Sequence, residues 1–213
     1  MTYLLSSTGD PLGEQFCPQF CDTVIREHYW FWRPNTTSKV KSVSTLIGEY
    51  LTSVGRGCHM TLNLNPDRNG LIEDEDMEAY KGFGEAINLL YRDLVMTVKN
   101  PEVKVGVDVV LRFQKPLIPG NGSVVVMEDI AQFGQLVAEY QLWFKTPQGW
   151  IESPEKGSSI GFKRIHAFPD IFKGNMISAI GLNITRLVTN GTSLMLREIS
   201  VYDWTEAARK GFI

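Results

Sequence analysis

The hydrophobic and polar positions of the first hundred residues predict helices that alternate with a strand. Residues 42–54 place six apolar side chains on one helical stripe, with Ser42 or Ser44 as the N-cap. The segment HMTLNLN (59–65) alternates apolar and polar residues, which is typical of a strand. Residues 71–94 open with acidic side chains, which suit the positive end of a helix dipole, and continue as a helix. This order indicates an α/β arrangement, either a β/α barrel or a doubly wound sheet.

The pattern changes after residue 100, where short strand-like runs follow one another. Gly, Pro, Asn and Asp separate seven such runs, and no helical stripe lies among them; the runs are 107–113, 123–129, 135–144, 149–153, 158–165, 176–185 and 193–202. This spacing predicts an antiparallel β-sandwich of jelly-roll, galactose-binding-like type. We therefore predict an α/β domain over residues 1–100, followed by an all-β domain over residues 101–213.

The α/β portion is short for a barrel. A closed β/α barrel typically needs about 250 residues, and this portion has about 95. The first domain is therefore either a smaller fold or the C-terminal part of a partial (β/α) barrel.

Composition and charge limit the partners that the chain can have. The net charge of −3 over 213 residues argues against a nucleic-acid surface, which needs clustered Lys and Arg. No apolar run approaches the roughly 20 residues that span a bilayer. The first residues have neither the basic region nor the long apolar core of a signal peptide. From these features we expect no nucleic-acid partner, no membrane span and no signal peptide in this sequence.

The cysteines and the glycosylation sequons give conflicting hints about the compartment. Cys17, Cys21 and Cys58 are an odd number, which favours buried free thiols over a disulfide framework. A zinc site made of these cysteines and His59 would lack a second close pair of ligands. Four N-glycosylation sequons hint at a lumenal history, and they begin at Asn35, Asn121, Asn183 and Asn190.

A segment with the spacing of a calcium loop runs from Asn65 to Asp76. Its residues fall at EF-hand positions one, three, five, six, eight and twelve. A strand precedes it where an EF-hand requires a helix, Pro66 occupies the second position, and the bidentate Glu is replaced by Asp. A turn between a strand and a helix is the simpler interpretation. Apart from His59, the chain has two histidines. His166 is expected at the surface, whereas His28 has aromatic and charged neighbours.

The run CDTVIREHYWFWRP (21–34) combines Trp30, Phe31 and Trp32, which follow Tyr29 directly, with His, Arg and Asp side chains. Such a run is either part of a core or one wall of a binding site. Together with GDPLGEQFCPQF before it and LIGEYLTSVGRGCHMTLNLNPDRNGLIEDEDMEAYKGFGEAI after it, the run resembles the end of the catalytic barrel in α-L-fucosidases of glycoside hydrolase family 29. The later segments VVMEDIAQFGQLVAEYQLWF, GWIES, SSIGFKRIHAF and REISVY resemble that family's C-terminal β-sandwich.

The resemblance implies an α-L-fucosidase, a retaining glycosidase that removes terminal fucose from oligosaccharides or glycoproteins without a cofactor. Such enzymes use a nucleophilic carboxylate and a second carboxyl group about 5 Å away as acid/base. In the family both precede the matching segment, which begins here at Gly9-Asp10-Pro11. We therefore expect no catalytic residue in this chain, no hydrolysis by it alone, and a secreted or lysosomal full-length protein.

The resemblance also suggests which residues contact the substrate, namely Asp22, Arg26, His28, Trp30 and Trp32. A Trp would stack on the apolar face of fucose, and Asp22 or Arg26 would bind hydroxyl groups or hold the loop. The alternative is an Asp22–Arg26 salt bridge with one Trp packed toward the sandwich. The sequence has Phe16 and Phe20 where the family has Trp and Glu, which leaves a non-catalytic fucose- or glycan-binding protein as the second functional hypothesis.

Overall fold

The computed structural model describes residues 19–117, 121–172 and 174–213. The segment around Gly9-Asp10-Pro11, together with Phe16 and Cys17, lies outside the described residues.

The first part of the chain contains two parallel strands and two helices. Strands β1 (Phe20–Val24) and β2 (His59–Asn63) pair in parallel, and helices α1 (Val43–Ser53) and α2 (Asp74–Arg92) each follow one of them. Ser42 caps α1, since its side chain accepts a hydrogen bond from the Thr45 N–H. Both helices and the second strand are confirmed as the periodicity predicted.

The rest of the chain is mostly antiparallel β-structure. Its strands are β3 (Asp93–Lys99), β4 (Glu102–Lys104), β5 (Asp108–Leu117), β6 (Gly122–Glu128), β7 (Val137–Thr146), β8 (Gly149–Glu152), β9 (Arg164–Ala167), β10 (Ile177–Leu187) and β11 (Ser193–Asp203). A short helix, α3 (Ile130–Phe133), lies between β6 and β7, and another, α4 (Thr205–Arg209), follows β11. One sheet has the order β5-β10-β7-β8 and the other β3-β11-β6-β9, with β4 also paired to β11.

Two details differ from the prediction. Residues 158–163 are irregular, and only the end of the predicted run 158–165 belongs to a strand. The carboxylate of Glu128 accepts the N–H of Gly161, which has a positive φ of 67°, so a side chain from another strand fixes this segment as a turn. Strand β3 ends just before residue 100 and pairs with β11, so the second sheet begins before the expected division of the chain.

The two sheets enclose one apolar core, and the helices cover only one of them. Side chains such as Phe144 and Ile180 from one sheet meet Val126 and Ile199 from the other. A second cluster joins both long helices to the outer face of the β3-β11-β6-β9 sheet, where Trp204 donates its indole N–H to the Leu90 carbonyl. The first part of the chain therefore packs firmly against one face of the sandwich.

The cysteines correct one expectation. Cys21 and Cys58 form a disulfide between β1 and the residue before β2, so the prediction of buried free thiols is wrong for these two. Two residues 37 positions apart are brought within 6.0 Å, Cα to Cα, by the parallel pairing of β1 and β2. Within the described ranges, no helix is both long and apolar enough to span a membrane.

Candidate functional site

The loops that follow the two parallel strands meet at one end of the small sheet. Residues 25–36 follow β1, residues 64–73 follow β2, and the Ile25 N–H extends the pairing by donating to the Asn63 carbonyl. In parallel α/β arrangements, side chains at the carboxyl ends of strands form binding and catalytic sites. The aromatic run lies in the first of these loops, residues 25–36, which we call the aromatic loop.

Arg26 is the centre of this end of the sheet. Its side chain has no accessible surface, and its Nε lies 2.8 and 3.1 Å from the two carboxylate oxygens of Asp76, which is also fully buried. Another guanidinium nitrogen donates to Thr36 Oγ1 at 2.8 Å, and that hydroxyl donates to the Arg33 carbonyl at 2.8 Å. The guanidinium thus connects the aromatic loop to the first turn of α2.

Glu73, the N-cap of α2, completes the cluster, which consists of Arg26, Thr36, Glu73 and Asp76. One carboxylate oxygen of Glu73 pairs with Arg26, and the other accepts the indole N–H of Trp32 at 2.7 Å. Hydrogen bonds from Arg26 and then Trp32 lower the pKa of Glu73, so this carboxylate stays ionised. Burial lowers the pKa of Arg26, but its bonds to Asp76 and Glu73 outweigh that effect and raise it.

Two asparagines fix the backbone of the aromatic loop from the β2 side. Asn63 donates to the Trp30 carbonyl at 2.8 Å, and buried Asn65 donates to the Tyr29 carbonyl at 3.1 Å. His28 adopts a positive φ of 69°, and this turn directs the chain into the aromatic run. The loop is therefore held by a buried charge cluster on one side and by amide groups on the other.

The residues predicted to contact substrate fall into two groups. Asp22, His28 and Trp30 are exposed, and 54% of the Trp30 side chain is accessible. Arg26 is enclosed and Trp32 is partly buried, so these two hold the loop in its conformation. The alternative of an Asp22–Arg26 salt bridge is wrong, because Arg26 pairs with Glu73 and Asp76 instead.

The structure contradicts the calcium-loop hypothesis. Strand β2 precedes Asn65, and Asp76 at the twelfth position is the buried partner of Arg26. Asp67 closes a turn, accepting from the N–H groups of Asn69 and Leu71, and these bonds lower the pKa of its carboxyl group. Among the described residues, no group of three or more His, Cys, Asp or Glu side chains is placed to bind a metal ion.

His166 was expected at the surface, and that expectation is wrong. It lies in β9, is partly buried, and hydrogen-bonds through Nε2 to the hydroxyl of buried Tyr140. Burial, reinforced by the charges of Arg164 and Arg56, lowers the pKa of His166 to about 3. The imidazole is therefore neutral at physiological pH and serves the packing of the sandwich.

Glu73 and Asp76 were missed as partners of the aromatic loop. The acidic start of α2 was interpreted through the helix dipole, which accounts for any acidic residue in that turn, and Asp76 also as the last position of a calcium loop. One signal was available, because positions 73 and 76 are three residues apart and side chains at that spacing share a helix face. A buried arginine near the aromatic run could therefore have been matched to this pair.

Comparisons with known proteins place these features in context. A scan against models of protein families found no match. A rice protein (Oryza sativa subsp. japonica) provisionally named α-L-fucosidase 1 is 28% identical, in an alignment that covers 77% of this chain and 36% of that protein. α-L-Fucosidase 1 of Arabidopsis thaliana is 26% identical, in an alignment that covers 82% of this chain and 40% of that protein. The chain thus spans about two fifths of the length of these relatives.

The fold also matches a solved structure. A glycoside hydrolase family 29 fucosidase of Ruminococcus gnavus, in complex with fucose, superposes with a TM-score of 0.76 at 20% identity, covering 93% of this chain and 44% of that one. At that identity the likeness shows the fold. The predominance of antiparallel sheet with few helices is therefore shared with a family 29 fucosidase.

Proposed function

We propose that this chain is the C-terminal part of an α-L-fucosidase of glycoside hydrolase family 29, because it is similar to the C-terminal portion of those enzymes. The complete protein would hydrolyse terminal α-L-fucosyl residues of glycans with retention of configuration. The observation that carries the proposal is the exposed aromatic loop, held rigidly at the carboxyl ends of two parallel strands. The units β1–α1 and β2–α2 would then be the last part of a (β/α) barrel.

The carboxylates of the Arg26 cluster are unsuited to the catalytic roles. A retaining glycosidase needs a nucleophile and an acid/base about 5 Å apart on either side of the scissile bond. Asp76 is enclosed against Arg26, and Glu73 is held ionised by Arg26 and Trp32, so it cannot act as a general acid at neutral pH. We infer that the nucleophile and the acid/base belong to a part of the protein outside these 213 residues.

The exposed residues of the loop suit the wall of a sugar pocket. Trp30 and Phe31 expose 54% and 83% of their surface, which is large for aromatic side chains on an ordered loop. An indole can cover the apolar face of a pyranose ring, and the Asp22 carboxylate can accept hydrogen bonds from its hydroxyl groups. His28 would border the pocket, while Arg26 and Trp32 would keep its shape.

The compartment follows from the same proposal. The Cys21–Cys58 disulfide indicates folding in an oxidising environment, and the sequon at Asn190 lies in an exposed segment. Both features support a secreted or lysosomal full-length protein acting on a fucosylated oligosaccharide or glycoprotein.

The test of the pocket is kinetic and uses the longer protein encoded by the complete gene. Trp30→Ala should lower kcat/KM for p-nitrophenyl α-L-fucoside by at least about tenfold, because a ligand-covering aromatic side chain is a typical hot spot. Phe133→Ala, which removes a similarly exposed ring from the sandwich, should leave kcat/KM unchanged. Equal kinetics for the Trp30 variant and the parent would refute the role of the loop.

A non-catalytic fucose- or glycan-binding protein is the second candidate. It is favoured by Phe20, which stands where the family has a carboxylate and exposes 74% of its surface beside β2. This candidate predicts that the longer protein binds L-fucose in calorimetry but shows no hydrolysis. Measurable turnover by the longer protein would exclude it.

A further inference from the structure

The sheet face that the helices leave uncovered carries an aromatic platform. The outer face of the β3-β11-β6-β9 sheet packs on α1 and α2, whereas no described residue of the β5-β10-β7-β8 sheet belongs to the apolar cluster that these helices form. Most outward positions on this second face are polar, as expected beside water. The large apolar exceptions include Trp143, Trp150 and, on β5, Val110, and Trp150 exposes 39% of its surface.

The strand register brings the two tryptophans together. Trp143 on β7 lies opposite Gly181 on β10 and Glu152 on β8. Trp150 lies two residues before Glu152 on β8, on the same face of the sheet. A Cβ atom at Gly181 would lie 3.3 Å from Trp143 Cβ and 3.6 Å from Trp150 Cζ3. The missing side chain at position 181 therefore leaves room for the Trp150 ring to lie across β10 beside Trp143.

A cavity of about 710 Å³ opens beside this platform, which is the size of a site for a small ligand. Its charged lining residues balance, since Glu139 and Glu152 are matched by Lys156 and Arg186. Glu139 and Arg186 also pair directly at 2.8 Å. A balanced lining favours an uncharged, hydroxyl-rich ligand over a nucleic acid or a polyanion, which would need clustered positive charge.

A buried polar atom at the edge of the cavity supports the same ligand class. Asn183 lines the cavity, and its Nδ2 donates to Asp108 Oδ1 at 2.6 Å. Its Oδ1 is buried without a hydrogen-bond partner among the described residues. An unpaired buried acceptor costs free energy, and a ligand hydroxyl that reaches it after a small rotation of the amide would relieve that cost.

We propose that this face of the sandwich is a binding site for a neutral glycan chain, separate from the proposed fucose pocket. Trp150 and Trp143 cover the apolar faces of successive sugar rings, and Asn183, Glu152 and the Glu139–Arg186 pair bind their hydroxyl groups. The site does not depend on the proposed fucosidase activity. It would hold the protein against a polysaccharide or the glycan of a glycoprotein.

Affinity gel electrophoresis of the whole 213-residue chain tests the site. The probes are galactomannan, xylan and mixed-linkage β-glucan, which contain no L-fucose and so do not report on the fucose pocket, with heparin as the charged comparison. At least one neutral polymer should retard the chain more than heparin does. Trp150→Ala should weaken that retardation by at least about tenfold in apparent Kd.

Two further variants keep the result interpretable. Trp143→Ala removes the second ring of the platform and should also weaken the retardation, whereas Phe133→Ala removes an exposed ring that does not line the cavity and should not change binding. Far-UV circular dichroism confirms that each variant is folded. The proposal is overturned if no neutral polymer retards the chain, if heparin binds more tightly, or if the folded Trp150 variant binds as the parent does.

Discussion

Replacing Arg26 with Met tests whether the buried charge cluster holds the aromatic loop. The substitution keeps most of the apolar volume but leaves the Asp76 carboxylate, which has no accessible surface, without its cation. Removing one partner of a buried ion pair costs about 3–5 kcal/mol, because the remaining charge has neither solvent nor partner. Thr36 and Glu73 lose hydrogen bonds at the same time.

The expected size of the effect is large for a protein of this length. Folded domains are stable by about 5–15 kcal/mol, so a loss of about 3–5 kcal/mol is at least roughly a fifth of that stability. With about 2–4 °C per kcal/mol at this size, the melting temperature should fall by roughly 6–20 °C. Urea unfolding and thermal melts followed by far-UV circular dichroism measure both quantities.

The matched control is Arg186→Met. Arg186 pairs with Glu139 at 2.8 Å, the same distance as the Arg26–Asp76 pair, but both of its side chains are exposed. Exposed pairs contribute about 0–1 kcal/mol, so this variant should melt close to the parent. If Arg26→Met costs no more than Arg186→Met, the cluster does not hold the loop. Adding Asp76→Leu to Arg26→Met should recover part of the loss, since the unpaired charge is then gone.

Three other expectations follow from single contacts. Reduction of the Cys21–Cys58 disulfide, which spans 37 residues, should lower the free energy of unfolding by about 2–4 kcal/mol, and equal melting temperatures with and without dithiothreitol would contradict this. His166 stays neutral in the folded protein down to about pH 3 but is protonated below about pH 6.5 when unfolded, so the free energy of unfolding should fall between these two pH values as the pH drops. His166→Gln should flatten this decline when it is measured by urea midpoints, and an unchanged slope would refute the role of His166. Gly84→Ala, with open space around the new Cβ, should stabilise helix α2 by up to about 1 kcal/mol, whereas Gly82→Ala, whose Cβ would lie 2.8 Å from a methyl group of α1, should gain less; equal gains would contradict the packing.

The elements that could be predicted from the sequence are those whose pattern is local. The stripe of α1, the alternation of β2 and the Ser42 cap depend on neighbours within a few residues, and all three are confirmed. Most of the seven strand runs are confirmed for the same reason. Strand β3 was not predicted, because it follows α2 directly and the helix pattern was extended to residue 94.

The features that could not be predicted depend on contacts between distant residues. Arg26 meets Asp76 across 50 positions, and the Tyr140–His166 hydrogen bond joins residues 26 positions apart. The odd number of cysteines concealed the pairing of Cys21 with Cys58, which only the parallel register of β1 and β2 brings together. The aromatic run could be recognised as a candidate site, but the buried cluster that shapes it could not.

Hydrolysis of p-nitrophenyl α-L-fucoside, measured side by side for the 213-residue chain and the longer protein encoded by the complete gene, tests the central claim most directly. We expect turnover by the longer protein and none by the 213-residue chain, because we infer that the nucleophile and the acid/base lie outside these residues. Turnover by the 213-residue chain that a point mutation within it abolishes, or a folded longer protein without any turnover, would contradict the account.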